Sequence, residues 1–142
     1  MKLLIVEDHA GSAEALCKLL TLRMETLHCV IVGTLREGLE KSMEIKAGVT
    51  LLDLSLPDAT IDQVIESIPK FYPPVVVISD FASPEIVLKC FQFEAENVLT
   101  KCALRKKIDS FEGRIEADKL VMAITNAHFR DVLPKTRHAA PN

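Results

Sequence analysis

Five short β-rich runs alternate with helical patterns along the 142 residues, which predicts an α/β fold built as a doubly wound, five-stranded parallel sheet. Two of the runs, Leu3-Leu4-Ile5-Val6 and Val75-Val76-Val77-Ile78, are apolar at every position, the pattern of strands covered on both faces. With 49% hydrophobic residues in 15.7 kDa, the chain has material for one well-buried core and too little length for a second domain.

The first strand is expected over residues 3–7, followed by a helix over about 11–24 whose Leu16, Leu19 and Leu20 recur at i, i+3 and i+4. A second strand spans 29–33. Thr34 and Glu37 then form a capping-box pattern, opening a helix with Leu35, Leu39 and Met43 along one stripe. The third strand, 50–53, leads to a second such box, Thr60 with Gln63. Ile61, Val64, Ile65 and Ile68 give that helix its apolar face until Pro69 stops it. After the fourth strand, 75–79, Ser83 supplies an N-cap, Pro84 suits the first helical position and Glu85 suits the helix dipole, opening a helix to about Phe93. A fifth strand, 97–100, precedes a last helix over about 115–131 with Leu120, Ile124 and Ala127. Residues 134–142 have the composition of a tail, so the domain is expected over 1–133.

Residues 102–114 are longer than the usual connector in such a fold and read as an insertion before the last helix. Leu104, Ile108 and Phe111 stand at i, i+4 and i+7, with Arg105, Lys106 and Lys107 on the other face. That pattern predicts a short amphipathic helix, which either packs back on the domain or binds a partner.

Seventeen basic against twenty acidic residues leave a net charge of −3 and a pI near 5.8, without the electrostatic footprint of a direct nucleic-acid binder. The apolar run at the N-terminus breaks at Glu7 after four residues, too short for a signal peptide or a membrane span, so a cytoplasmic location is expected. Cys17, Cys29, Cys90 and Cys102 show no CxxC spacing and read as reduced thiols. His9, His28, His128 and His138 share no metal-ligand spacing, and His9 reads as an exposed loop residue.

In an open parallel sheet, functional groups collect at the carboxyl ends of the strands. The strand ends here supply Glu7 and Asp8, then Asp53, then Ser79, then Lys101. Clustered carboxylates with charge to spare suit Mg²⁺, and an ammonium opposite them suits the oxygens of a phosphoryl group. Taken singly, each has an ordinary reading: solvated loop carboxylates, a strand-end hydroxyl, a surface lysine.

The four segments LLIVEDH, LLDLSLPD, VVVISD and AENVLTK, in that order, resemble the response-regulator receiver domain of two-component signalling over residues 1–101 and the last helix. The resemblance implies a flavodoxin-like receiver fold with strand order 2-1-3-4-5. It implies that Asp53 is the phosphoacceptor for a phosphohistidine donor, with Ser79 and Lys101 assisting. Asp8, Asp53 and the backbone carbonyl of Ser55 would hold Mg²⁺ directly, and Glu7 through a water. The implied partners are a histidine kinase or a histidine phosphotransfer protein and an output protein of unknown identity, with no membrane or direct nucleic-acid contact and a homodimer left open. A stand-alone signalling domain rather than an enzyme is expected.

Departures from the family pattern support an alternative, an interaction module that works without phosphorylation. Val98 stands at the position of the aromatic switch, Asp80 where a small residue follows the hydroxyl, and Cys102 where proline follows the lysine. No glycine follows Leu56-Pro57, leaving Asp58-Ala59-Thr60 in a shorter loop. A Mg²⁺-dependent phosphohydrolase is a further alternative, disfavoured because Asp53-Leu54-Ser55 lacks the second Asp of the haloacid-dehalogenase-type motif.

Overall fold

The computed structural model describes residues 1–80, 83–101 and 111–132, without the side chains of 111–116, 131 and 132. In chain order the elements are β1 (Lys2–Val6), α1 (Ala10–Arg23), β2 (His28–Val32), α2 (Leu35–Ile45), β3 (Val49–Asp53), α3 (Ile61–Glu66), β4 (Val75–Ser79), α4 (Pro84–Gln92), β5 (Asn97–Thr100) and α5 (Phe111–Val132). All strand pairs are parallel and the sheet order is β2-β1-β3-β4-β5, the flavodoxin-like arrangement expected above.

Alternation along the strands divides the core into two layers. Leu3, Ile5, Leu51, Val76 and Ile78 pack under α1 and α5, meeting Leu16, Leu19, Leu20, Leu120 and Ile124. Leu4, Val6, Leu52, Val75 and Val77 face the other way, toward Leu35 of α2, Val64 and Ile65 of α3 and Cys90 of α4. Because β3 and β4 are buried at every position, both faces of the sheet's centre are closed to water. Arg23 of α1 bonds Asp118 of α5 across the first layer, and Lys89 of α4 bonds Asp62 and Glu66 of α3 at 2.9 and 3.4 Å across the second.

The helix starts follow their caps closely. Thr60 and Gln63 form the full capping box of α3, and Ser83 caps α4 with Pro84 in its first turn. At α2 Thr34 accepts from the Glu37 N–H at 3.1 Å, while the Glu37 carboxylate takes the Thr34 hydroxyl at 2.9 Å instead of reaching back to the backbone.

The contact faces differ from the expected stripes in two helices. In α2 the buried residues are Leu35, Gly38 and Ser42, and Met43 is exposed. At Gly38 the reason is closeness: a Cβ built there would lie 2.8 Å from Cγ2 of Val6, so α2 meets β1 at a residue without a side chain. In α3 Ile61 is exposed and the helix ends at Glu66, because Pro69 has no N–H to continue it; a 3₁₀ turn, Ile68–Lys70, absorbs the proline instead.

The last helix begins at Phe111, four residues earlier than expected, and runs through Gly113. A helix-interior glycine costs about 1 kcal/mol relative to alanine, and the later turns of α5 supply the packing that offsets it. Residues 111–114 of the expected insertion are therefore helix, whereas 102–110 and the tail 134–142 lie outside the described residues. Among the described residues, no helix is long and apolar enough to cross a membrane.

Candidate functional site

β1 has β2 on one side and β3 on the other, so the chain direction of successive crossovers reverses beside it and opens a crevice at the carboxyl ends of β1 and β3. Register sets what enters that crevice. Val6 lies level with Val32 and Leu52, and Asp53 level with Ile78, so Glu7 and Asp53 leave adjacent strands at the same height. The Glu7 N–H donates to the Val32 carbonyl at 2.9 Å, which extends the ladder one residue and fixes Glu7 in the sheet's edge.

Glu7 and Asp53 are buried while Asp8, one residue further out, is exposed. One carboxylate oxygen from each of the three lies within 4.8 Å of the others. Lys101, the residue after β5, reaches in from the far side of β4. Its ammonium donates to Asp53 Oδ2 at 2.9 Å and to Glu7 Oε1, and it is itself buried. The Ser55 N–H donates to the other oxygen of Asp53, Oδ1, at 3.1 Å. Ser79 ends β4 next to Thr100 of β5 and is buried at the same edge. The structure thus brings together Glu7, Asp8, Asp53, Ser55 and Lys101, with Ser79 on the neighbouring strand.

Burial pushes the Glu7 carboxyl up to about 7; the adjacent Asp53 carboxylate adds to the rise and Lys101 opposes it. Burial works against the charged form of Lys101, but its bonds to Glu7 and Asp53 outweigh that and its pKa rises. Three carboxylates against one ammonium leave an excess of negative charge among hard oxygen donors, and the exposed Asp8 opens that cluster to solvent. This donor set fits a small divalent cation that keeps part of its water, as Mg²⁺ does.

A model of the response regulator receiver domain matches residues 3–110. The chain belongs to that family. Solved structures agree in fold. The response regulator domain of Thermotoga maritima CheB superposes with a TM-score of 0.74 at 21% identity, covering 94% of this chain and 98% of the other. The CheY-like receiver domain protein of Methanospirillum hungatei JF-1 gives 0.68 at 21%, covering 91% and 97%. The receiver domain of the putative response regulator NarL from Mycobacterium tuberculosis gives 0.65 at 24%, covering 86% and 94%. No curated protein matches the sequence. Receivers are signalling domains of two-component systems rather than enzymes with a substrate of their own.

Two of the family departures lie among the described residues. Val98 is partly buried and packs on the second core layer. Asp80 follows β4 and is half-buried, and Cys102 lies outside the described residues. Two residues of the site's surroundings escape a reading of the sequence. His9 is the N-cap of α1: its Nδ1 accepts from the Ser12 N–H at 3.1 Å, and its own N–H points at Glu7 Oε2 at 3.5 Å. Histidine is not among the usual capping residues, so nothing local announces that role. Asp58 bonds the start of α2 from the β3–α3 loop, a contact across 22 and 23 residues that no motif encodes. Among the described residues, Cys17, Cys29 and Cys90 are free thiols.

Proposed function

We propose that this receiver takes a phosphoryl group onto Asp53 from a phosphohistidine donor, a histidine kinase or histidine phosphotransfer protein, in the cytoplasm, and signals through protein contacts. The observation that carries the reading is the buried meeting of Glu7, Asp53 and Lys101 beside exposed Asp8. An oxygen of the Asp53 carboxylate attacks the donor's phosphorus. The phosphorus–nitrogen bond breaks and its electron pair leaves with the imidazole nitrogen. Asp8, Asp53 and the Ser55 carbonyl would hold Mg²⁺, and Glu7 would act through a water. When bound, Mg²⁺ offsets negative charge on the phosphoryl oxygens. Lys101 exchanges its bond to the Asp53 carboxylate for one to a phosphoryl oxygen, and the Ser79 hydroxyl donates to another.

Incubation with acetyl phosphate and Mg²⁺, followed by intact mass measurement, tests this. The expected result is one added phosphoryl group on the parent and none on Asp53→Asn. Equal labelling of both proteins would move the site elsewhere. Absence of labelling with Mg²⁺ present would favour the interaction module, a reading supported by Val98, which has no ring to swing between buried and exposed positions.

A further inference from the structure

We propose that Asp58 is a positioning residue for the phosphorylation site, clamping the β3–α3 loop to the N-terminus of α2 and so fixing the backbone of Ser55 beside Asp53. Both of its carboxylate oxygens are engaged: Oδ1 accepts from the Leu35 N–H at 2.8 Å and Oδ2 from the Arg36 N–H at 3.1 Å. These are the first two N–H groups of α2, which no carbonyl within the helix can reach. The next, from Glu37, goes to the Thr34 hydroxyl, and that of Gly38 to the Thr34 carbonyl.

The loop between Asp53 and Asp58 has little slack. Leu54 and Leu56 are buried in the second core layer, and Pro57 restricts its own φ. Ser55 lies between the two leucines with its N–H on Asp53 Oδ1. Asp58 closes the far end with two charge-assisted bonds at the positive end of a helix. The slight burial of the Asp58 carboxyl pushes its pKa up, but the N–H groups of Leu35 and Arg36 outweigh this and hold it below the usual carboxylate range. The clamp is therefore ionised at neutral pH, and it joins the loop after β3 to the helix after β2.

The proposal deepens the functional reading and rests on it where Ser55 is taken as a metal ligand. Thr34 provides a matched control, because it caps the same helix through bonds to Glu37 and Gly38. Asp58→Ala, Asp58→Asn and Thr34→Ala are compared by amide hydrogen exchange at Ser55 in the metal-free protein and by calorimetric titration with Mg²⁺. Asp58→Ala should speed exchange at Ser55 about 10-fold and weaken Mg²⁺ binding about 10-fold, as loss of an outer-sphere partner does. Asp58→Asn should fall between, since its amide oxygen still accepts one bond, and it serves if the alanine variant does not fold. Thr34→Ala should lose comparable unfolding stability and change neither readout. Unchanged Ser55 exchange in both Asp58 variants, or equal changes in Thr34→Ala, would overturn the clamp. If the parent binds no Mg²⁺, the reading of Ser55 as a ligand falls, and the metal-free exchange decides the clamp alone.

Discussion

The two edges of the sheet are made by the same five strands and bear different burdens. At the carboxyl edge, Glu7, Asp53, Ser79 and Lys101 are buried together and the cost is electrostatic: like charges held close, offset by one ammonium. At the amino edge the burden is conformational and steric. Lys46 and Glu94, in the connections that enter β3 and β5, take left-handed backbone with φ of 48° and 74°. Met1 and His128 crowd Gly48, where an added Cβ would meet Met1 Cγ at 2.6 Å. Non-glycine residues in that backbone region each give up on the order of 1 kcal/mol. Strain at the amino edge can be relieved without touching chemistry, whereas the carboxyl edge cannot be relaxed without dismantling the pocket.

The largest expected effect breaks the charged edge. Lys101→Met leaves Glu7 facing Asp53 without a cation and should lower metal-free stability by about 3 kcal/mol in a denaturant titration. His128→Leu at the other edge removes a buried Nδ1 that has no partner among the described residues, and should change stability by less than about 1 kcal/mol. Equal losses would erase the contrast.

A pH series sharpens it. Glu7 has its folded pKa raised from 4.5 to about 7, so its contribution is full below pH 4.5 and is lost as pH rises toward 7. Relative to a Glu7→Gln variant, the metal-free parent should lose on the order of 3 kcal/mol across that window and then level off. A flat difference curve would mean that Glu7 is neither buried nor held against Asp53.

Smaller still is the effect of Asp53→Asn, which removes one of the clustered charges. Metal-free stability should rise by about 1 kcal/mol, the Glu7 carboxyl should titrate lower, as followed by carbon NMR, and Mg²⁺ should bind less tightly. The smallest change belongs to the amino edge. Lys46→Gly should add about 0.5 kcal/mol by relieving the left-handed residue that ends α2, with Mg²⁺ binding unchanged.

The strands and the pocket position were legible because they rest on local patterns, whereas the strand order came with the family resemblance. Continuous apolar runs mark β1 and β4, and Glu7, Asp8, Asp53 and Lys101 each follow or end a strand. Caps with a local partner, such as Thr60 with Gln63 and Ser83 ahead of Pro84, were legible for the same reason. What stayed hidden depends on what lies opposite in space. Met43 continues an apolar stripe, yet α2 turns Gly38 and Ser42 inward, where Val6 crowds Gly38 and the Tyr72 N–H donates to the Ser42 hydroxyl. Gly113 disguised the first turn of α5. His9 and Asp58 look like loop residues until Ser12 and the two free N–H groups of α2 are placed beside them.

The strand order also sets a sequence of events during synthesis, when the N-terminal part of a chain emerges first. Each new strand pairs with one already made: β2 and then β3 on the flanks of β1, β4 on β3, β5 on β4. The sheet can therefore grow outward without opening any earlier pairing. Its three pocket carboxylates are all present once residue 53 has emerged, but the ammonium that bonds two of them arrives only with residue 101. A nascent chain therefore carries the acidic cluster uncompensated while the next 48 residues are made, and Lys101 is the last piece of the pocket to arrive.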